Sequence, residues 1–353
     1  MSLSNWVIYG ATGYTGERIA REAVARGLSP ILAGRSKEKL QTLADELSLD
    51  FHVHSLDDSH SLCRALADVA LVVNAAGPFI HTAKQMRAAC IASVTHYIDI
   101  SGEIDVLSAS LAANEAAKTA GVLCISGAGF DVVPSDCLAA ELATKINNPS
   151  RLSVALIEEG RLSKGTLASI LHQVPKGFFK VLQGKLAKIA PGANCITVDL
   201  GFAQHHLMPL PWGDLITAQA STGIENIITY AGMPKVDSLF FRVMGPVLHL
   251  AYKWQWLLNW RLKLLASTYK NPTPAELATA KSYIWVRVEN DNNQSVEGLL
   301  QTADGYAFTQ HSIIEAVLEV LTGEAKNLTG AMTPAQAFGM KFVERIPGVK
   351  RLY

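Results

Sequence analysis

Over the first 145 residues the hydrophobic pattern alternates between two periods. Short apolar runs at Trp6–Tyr9, Pro30–Ala33, Leu71–Val73, Tyr97–Ile98 and Val122–Ile125 lack polar alternation, as strands buried on both faces of a parallel sheet do. The run Phe51–His54 does alternate, which places it nearer a sheet edge. Between the runs, apolar residues recur at helical spacing: Ile19, Ala23 and Val24, then Leu40, Leu43, Ala44 and Leu47, then Leu62, Ala65 and Leu66. An alanine-rich stretch from Ser108 to Ala120 continues the series. Strand–helix alternation of this length predicts an α/β domain with a doubly wound parallel sheet.

After Pro149 the texture changes. Arg151–Glu159, Ile196–Ala203, Ile224–Ala231, Tyr283–Glu289 and Glu297–Ala303 read as strands with few helices between them. That pattern predicts a second, α+β domain built on a mixed or antiparallel sheet and facing substrate. Gly305 precedes a strong helical pattern from Ser312 to Leu321, expected to pack back on the first domain. The expected organisation is therefore a first domain over 1–135, a substrate or dimerisation domain over 136–304, and a returning segment 305–353 that completes the first.

Composition narrows the function classes. Of the 353 residues 49% are hydrophobic and 18% charged, enough apolar material for large cores. The formal net charge is zero, so no global basic field collects nucleic acid, and no nucleic-acid partner is expected. Five cysteines, an odd number without a CxxC pair, argue against a disulfide framework or a zinc site and fit a reducing compartment. A strand beginning at Trp6 leaves no room for a signal peptide, and no long charge-free apolar run predicts a spanning helix.

The chemistry-bearing motif is Gly10-Ala11-Thr12-Gly13-Tyr14-Thr15-Gly16, between the first predicted strand and the first predicted helix. Glycines there let backbone approach a pyrophosphate, and the helix N-terminus offers N–H groups and a positive dipole end. This is the context of a Rossmann-type dinucleotide site rather than of an ordinary glycine turn. At the end of the second strand stands Gly34-Arg35-Ser36 where an NAD site carries Asp or Glu. Arg35 suits a 2′-phosphate, Ser36 adds a hydroxyl and a helix cap, and the cofactor expected is NADP(H).

Two more loops follow strand ends, where open α/β sheets bind ligands. Asn74-Ala75-Ala76-Gly77-Pro78-Phe79 permits close approach to the ribose and nicotinamide, and Asp99-Ile100-Ser101-Gly102-Glu103 brings two carboxylates and the Ser101 hydroxyl to the nicotinamide end. Asp57 is a plausible adenine-side contact. Candidate proton donors or anchors are Asp99, Glu103, Asp131 and Asp136; each needs a pKa raised by burial or a like charge to donate near neutrality. Asp131, Ser135 and Asp136 equally suit caps for a helix starting near Pro134.

The Tyr14 ring is placed to pack over cofactor or substrate. His81, His205 and His206 form no ligand pattern, and no metal site is expected. None of the nine tyrosines has a lysine four residues later, which argues against a short-chain dehydrogenase. Leu239–Ala266 holds Phe240, Phe241, Trp254, Trp256 and Trp260 with Arg242, Lys253, Arg261 and Lys263 and no acid. It reads either as a helical pair packing the second domain or a dimer contact, or as an apolar lid or membrane-surface contact.

These motifs resemble the saccharopine dehydrogenase-like oxidoreductases. The resemblance rests on Gly10–Gly16, Ala33–Arg35, Asn74–Phe79, His96–Glu103 and Gly127–Asp136, in that order, and extends weakly to Gly165-Thr166 and Gly330–Ala335. It implies an NADP-linked oxidoreductase whose Rossmann domain is interrupted by a substrate domain, a cytoplasmic setting and often a dimer. Members act on substrates as different as amino-acid imine adducts and enoyl lipid intermediates, and Phe130–Asp136 looks more like the uncharacterised and lipid-linked branches than like the true saccharopine enzymes. The reading is an NADPH-dependent reductase of a C=C or C=N bond in a small-molecule substrate. A regulatory or sensor protein that binds NADP(H) without turnover is the alternative.

Overall fold

The structure is a computed structural model that describes residues 5–159, 177–233 and 281–353, with the single positions 235, 239, 243, 260 and 264. The chain divides into two compact units, Met1–Ala140 with Gly305–Gly348, and Glu141–Asp304 with Val349–Tyr353.

The first unit is a doubly wound parallel sheet. Its strands are β1 (Trp6–Tyr9), β2 (Ile31–Gly34), β3 (Phe51–Val53), β4 (Leu71–Asn74), β5 (His96–Asp99) and β6 (Leu123–Ile125). They lie in the order β6-β5-β4-β1-β2-β3, every neighbouring pair parallel. The alternating run at Phe51 is indeed the edge strand, with His52 and Val53 exposed. Helices α1 (Tyr14–Ala25), α2 (Lys37–Leu47), α3 (Ser59–Ala65), α4 (Ala83–Ala92), α5 (Ile104–Ala112), α6 (Asn114–Thr119) and α7 (Val133–Ala143) follow in turn. Ile19, Ala20 and Ala23 of α1 are fully buried, and burying an isoleucine side chain contributes about 2 kcal/mol. Under α3 and α4, Val7, Tyr9, Val72, Tyr97 and Cys124 of the sheet pack with Leu62, Leu66 and Met86.

Strand order reverses between β1 and β4. Chain order runs outward from β1 through β2 to β3, then resumes on the other side at β4, so the loops after β1 and β4 diverge and leave a crevice.

The second unit holds a nine-stranded mixed sheet. Its long strands are β7 (Pro149–Glu159), β12 (Ile227–Gly232), β13 (Lys281–Asn290) and β14 (Ser295–Thr302). Shorter ones are β8 (Phe178–Leu182), β9 (Lys185–Ile189), β10 (Ile196–Asp199) and β11 (Gln204–Pro209). β7 and β12 are parallel and the other pairings antiparallel. The strand expected over 196–203 stops at Asp199, where Gly201 at φ +86° turns the chain into β11. The hairpin β8–β9 turns at Gln183 and Gly184, both with positive φ, as a tight two-residue turn requires. Ala155, Ile157, Leu207, Tyr230, Trp285 and Leu299 form a core, and α8 (Asp214–Thr222) packs beside β12.

The last part of the chain serves both units. Helix α9 (Gly305–Thr322) packs against α1 in the first unit, burying Phe308, Ile313, Ile314, Val317 and Val320. β15 (Gly330–Met332) joins β6 as a seventh parallel strand, and α10 (Pro334–Phe338) follows. β16 (Lys350–Arg351) pairs with β14 in the second sheet. Contacts thus put the unit boundaries at 140/141, 304/305 and 348/349, against the 135/136 and 304/305 expected from texture.

The aromatic stretch 239–266 lies outside the described residues except for Leu239, Val243, Trp260 and Leu264, each helical and exposed. No helix among the described residues is long and apolar enough to cross a membrane.

Candidate functional site

The glycine loop leaves β1 with Gly10 at φ +84°, a left-handed conformation that costs a side-chain-bearing residue strain. Its N–H and that of Ala11 donate to the Ala33 carbonyl of β2 at 2.8 and 3.2 Å. A Cβ at Gly10 would come within 2.7 Å of the Ala76 nitrogen, and one at Gly16 would run into the Gly10 carbonyl oxygen. Gly13 stands at the N-cap of α1, and no side chain caps that helix. The first-turn N–H groups from Tyr14 to Gly16 therefore open on the crevice with the positive end of the helix dipole. Together the loop forms a cradle that any Cβ at Gly10 or Gly16 would fill, which fits a pyrophosphate. Thr12 and Thr15 are half-buried beside it.

Tyr14 is turned outward. Its ring meets Tyr306 of α9 edge-on at 4.7 Å, and the Arg18 guanidinium lies 5.6 Å from its centroid. Its backbone lines the loop while its ring braces α9, a role the sequence did not show.

At the end of β2, Arg35 is exposed and makes no hydrogen bond or ion pair with any described residue. Burial pushes the nearby Tyr9 hydroxyl pKa up; Arg35 draws it down and Asp57 adds to the rise, which places both charges around that ring. Ser36 is the N-cap residue of α2, but its hydroxyl makes no capping bond. The cap expected of that side chain is not formed, and the hydroxyl stays available beside Arg35. Asp57 accepts from the Ser55 hydroxyl at 2.8 Å, while its neighbour Asp58 caps α3.

The two remaining loops form one braced assembly. Asn74, fully buried, accepts from Ala76 N at 3.1 Å through Oδ1. The Thr82 hydroxyl donates to the Ala76 carbonyl at 2.6 Å. Ala75 is buried, Gly77 and Pro78 are exposed, and the Gly77–Pro78 peptide is cis. Glu103 then accepts from Phe79 N and Ile80 N, both at 2.9 Å. Its own N–H donates to the hydroxyl of the buried Ser101 at 3.1 Å. Glu103 is thus a backbone clamp on the loop after β4.

Asp99 lies fully buried within the sheet. Its Oδ1 accepts from Ser101 N (2.9 Å) and Gly127 N (3.2 Å), and its Oδ2 from Tyr97 (2.8 Å) and Ser126 (2.7 Å) hydroxyls. Burial pushes its pKa up, and these four donors hold it back. The structure closes Asp99 to substrate and engages Glu103 with backbone.

Asp131 differs from both. The residue is exposed at the surface, and its carboxyl bonds to no described residue. It leans over Gly102, where a Cβ would stand 2.8 Å from Oδ2. The surrounding protein desolvates it and pushes its pKa up to about 6. No cap forms at Asp131. Ser135 donates to Val132 O at 3.0 Å, and Asp136 accepts from Ala335 N at 2.8 Å in the first turn of α10. Tyr97, Thr82, Ser126 and Tyr306 had not been singled out from the sequence. For Tyr97 a signal was present, since it stands two residues before Asp99 and therefore on the same strand face.

Residues 6–125 match the family described as the saccharopine dehydrogenase NADP-binding domain. A saccharopine dehydrogenase-like oxidoreductase of Mus musculus is 37% identical over 150 residues, covering 37% of this chain and 35% of that protein. A putative trans-acting enoyl reductase of Mycobacterium tuberculosis is 34% identical over 182 residues, covering 47% of this chain and 43% of that protein. The chain therefore matches well under half the length of these relatives. Among solved structures, apo saccharopine dehydrogenase (L-glutamate-forming) from Saccharomyces cerevisiae aligns over 99% of this chain and 100% of its own, with a TM-score of 0.67 and 12% identity. At that identity the likeness is one of fold.

Proposed function

We propose that the chain, which matches the saccharopine dehydrogenase NADP-binding domain over residues 6–125, is an NADPH-dependent oxidoreductase of the saccharopine dehydrogenase-like kind. The observation that carries the reading is the cradle of Gly10, Gly13 and Gly16 facing Ala76 where strand order reverses, with Arg35, which pairs with no described residue, at the end of β2. In this reading the α1 N-terminus, with the first-turn N–H groups of Tyr14–Gly16, holds the pyrophosphate. Arg35 and Ser36 hold the 2′-phosphate, Asp57 borders the adenine side, and Ala76–Phe79 wall the ribose and nicotinamide, with the fully buried Asn74 and Ser101 supporting that wall from beneath. A bound reduced nicotinamide supplies the hydride.

Reduction of a C=C or C=N bond needs a proton at the other end of the double bond. Asp131 is the donor in this reading, because it is the candidate acid whose carboxyl bonds to no described residue and whose pKa is raised to about 6. Asp99 and Glu103 hold the site's shape. The putative enoyl reductase relative supports an unsaturated substrate, and the aromatic composition of 239–266 suits an apolar one. The second unit is assigned the substrate, and the protein is assigned a cytoplasmic homodimer, to be checked by fractionation and analytical ultracentrifugation.

The test follows NADPH absorbance with enoyl and cyclic imine substrates. Turnover by the native protein, lost in Asp131→Asn with NADPH affinity unchanged, is expected. A second reading, an NADP(H) sensor without turnover, draws on the engagement of Asp99 and Glu103 in structure. Tight NADPH binding with no oxidation across both substrate classes would favour it.

A further inference from the structure

Three buried side chains stand in line on one face of the first sheet. Asn74 of β4 is the register partner of Asp99 of β5, and Tyr97 precedes Asp99 by two residues. A phenol carries a single hydrogen, and here Tyr97 donates it to Asp99 Oδ2 at 2.8 Å. Toward Asn74 the phenol oxygen only accepts, so the amide must present Nδ2, at 3.2 Å. The Thr82 hydroxyl imposes the same sense: it donates to Ala76 O at 2.6 Å and accepts from Asn74 Nδ2 at 3.5 Å. Asn74 Oδ1 is thereby turned to Ala76 N, and Ala76 is the residue that faces Gly10 across the crevice. A flipped amide would set two donors against each other at Ala76 and two acceptors against each other at Tyr97.

We propose that Tyr97 is a positioning residue for the cofactor crevice: it passes the acceptor polarity of Asp99 to Asn74 and so fixes the Ala76 peptide that walls the nicotinamide half. This rests on the NADP(H) reading above. The Asp99 carboxylate then acts on the crevice without touching its occupant, through three hydrogen bonds in series: Tyr97 to Asp99, Asn74 to Tyr97 and Ala76 N to Asn74. The adenosine half, held at Arg35 and the end of β2, lies outside the relay.

That separation supplies the test. Calorimetric titration compares NADPH with adenosine 2′,5′-bisphosphate, which carries the 2′-phosphate but no nicotinamide half. Tyr97→Phe is expected to weaken NADPH about tenfold, the loss of one buried hydrogen bond with its orientation, and to leave the bisphosphate within twofold. Asn74→Asp, whose carboxylate cannot donate to the phenol oxygen, should reproduce that split. Ser126→Ala removes a different Asp99 donor and should keep NADPH within twofold even if its Tm falls as far. Unchanged NADPH affinity in both relay variants, or equal weakening of both ligands, overturns the inference. So does equal NADPH weakening in Ser126→Ala. A native protein that binds neither ligand refutes the cofactor reading, and the inference with it.

Discussion

At residue scale the site rests on backbone demands that few side chains meet. Gly10 combines φ +84° with a 2.7 Å approach to Ala76 N, so Gly10→Ala meets both strain and collision. We expect it to cost about 2 kcal/mol in urea unfolding and to abolish NADPH binding. Asp131 titrates on another principle. Its folded pKa, about 6, lies above the ordinary value of 3.8, so the folded state holds the proton more tightly. Its contribution to stability is full below pH 4 and is lost as pH rises through 6. Asp131→Asn should therefore unfold like the native protein at pH 4 and be about 1 kcal/mol more stable at pH 8, a figure reduced because the residue as a whole is exposed. Equal stability at pH 8 would show that the carboxyl is not desolvated. Such residues were legible unevenly. Gly10–Gly16 and Asn74–Phe79 announce themselves because close backbone approach demands small residues. The part played by Glu103 was not legible, since no local pattern tells a carboxylate that it will clamp N–H groups 23 and 24 residues upstream.

At element scale the first unit is held by what α1 shares with α9. Arg26 bridges Glu22 at 2.7 Å and Glu315 at 2.6 Å; His311 reaches Glu22 at 2.9 Å; Arg345 pairs with Glu315 at 3.1 Å and with Glu319. Glu315 is the half-hidden centre of this network, and Glu315→Ala leaves two guanidinium groups without it. Differential urea unfolding should show a loss of about 1–2 kcal/mol, shrinking in 1 M salt. Thr333 and Gln336 form a capping box at α10, and Thr333→Ala should cost about 1 kcal/mol by the same measurement. The buried parallel strands were readable because their apolar runs are continuous. β15 was not, being three residues led by Gly330 at φ +105° and placed by pairing with Leu123–Ile125 some two hundred residues earlier. Likewise β8, β9 and β11 were missed. The lysine-bearing β9 and histidine-bearing β11 carry little strand signal until the neighbouring strand supplies hydrogen bonds, whereas Phe178–Leu182 of β8 is apolar and strand-favouring and was readable in the sequence.

At the scale of the whole molecule, one chain builds two sheets by leaving the first unit at Ala140 and returning at Gly305. The first unit's core is therefore incomplete until the C-terminal residues are made. Truncation after Asp304 removes the buried Phe308, Ile313, Ile314, Val317 and Val320, each contributing about 2 kcal/mol, and should abolish cooperative unfolding of the first unit. The measurement that tests the central claim most directly is calorimetric titration of the native protein and Arg35→Ala with NADPH and NADH. The account predicts that native protein binds NADPH at least tenfold more tightly than NADH, and that Arg35→Ala brings the two together by weakening NADPH alone. Equal affinities in the native protein, or a preference for NADPH that survives Arg35→Ala, would contradict it.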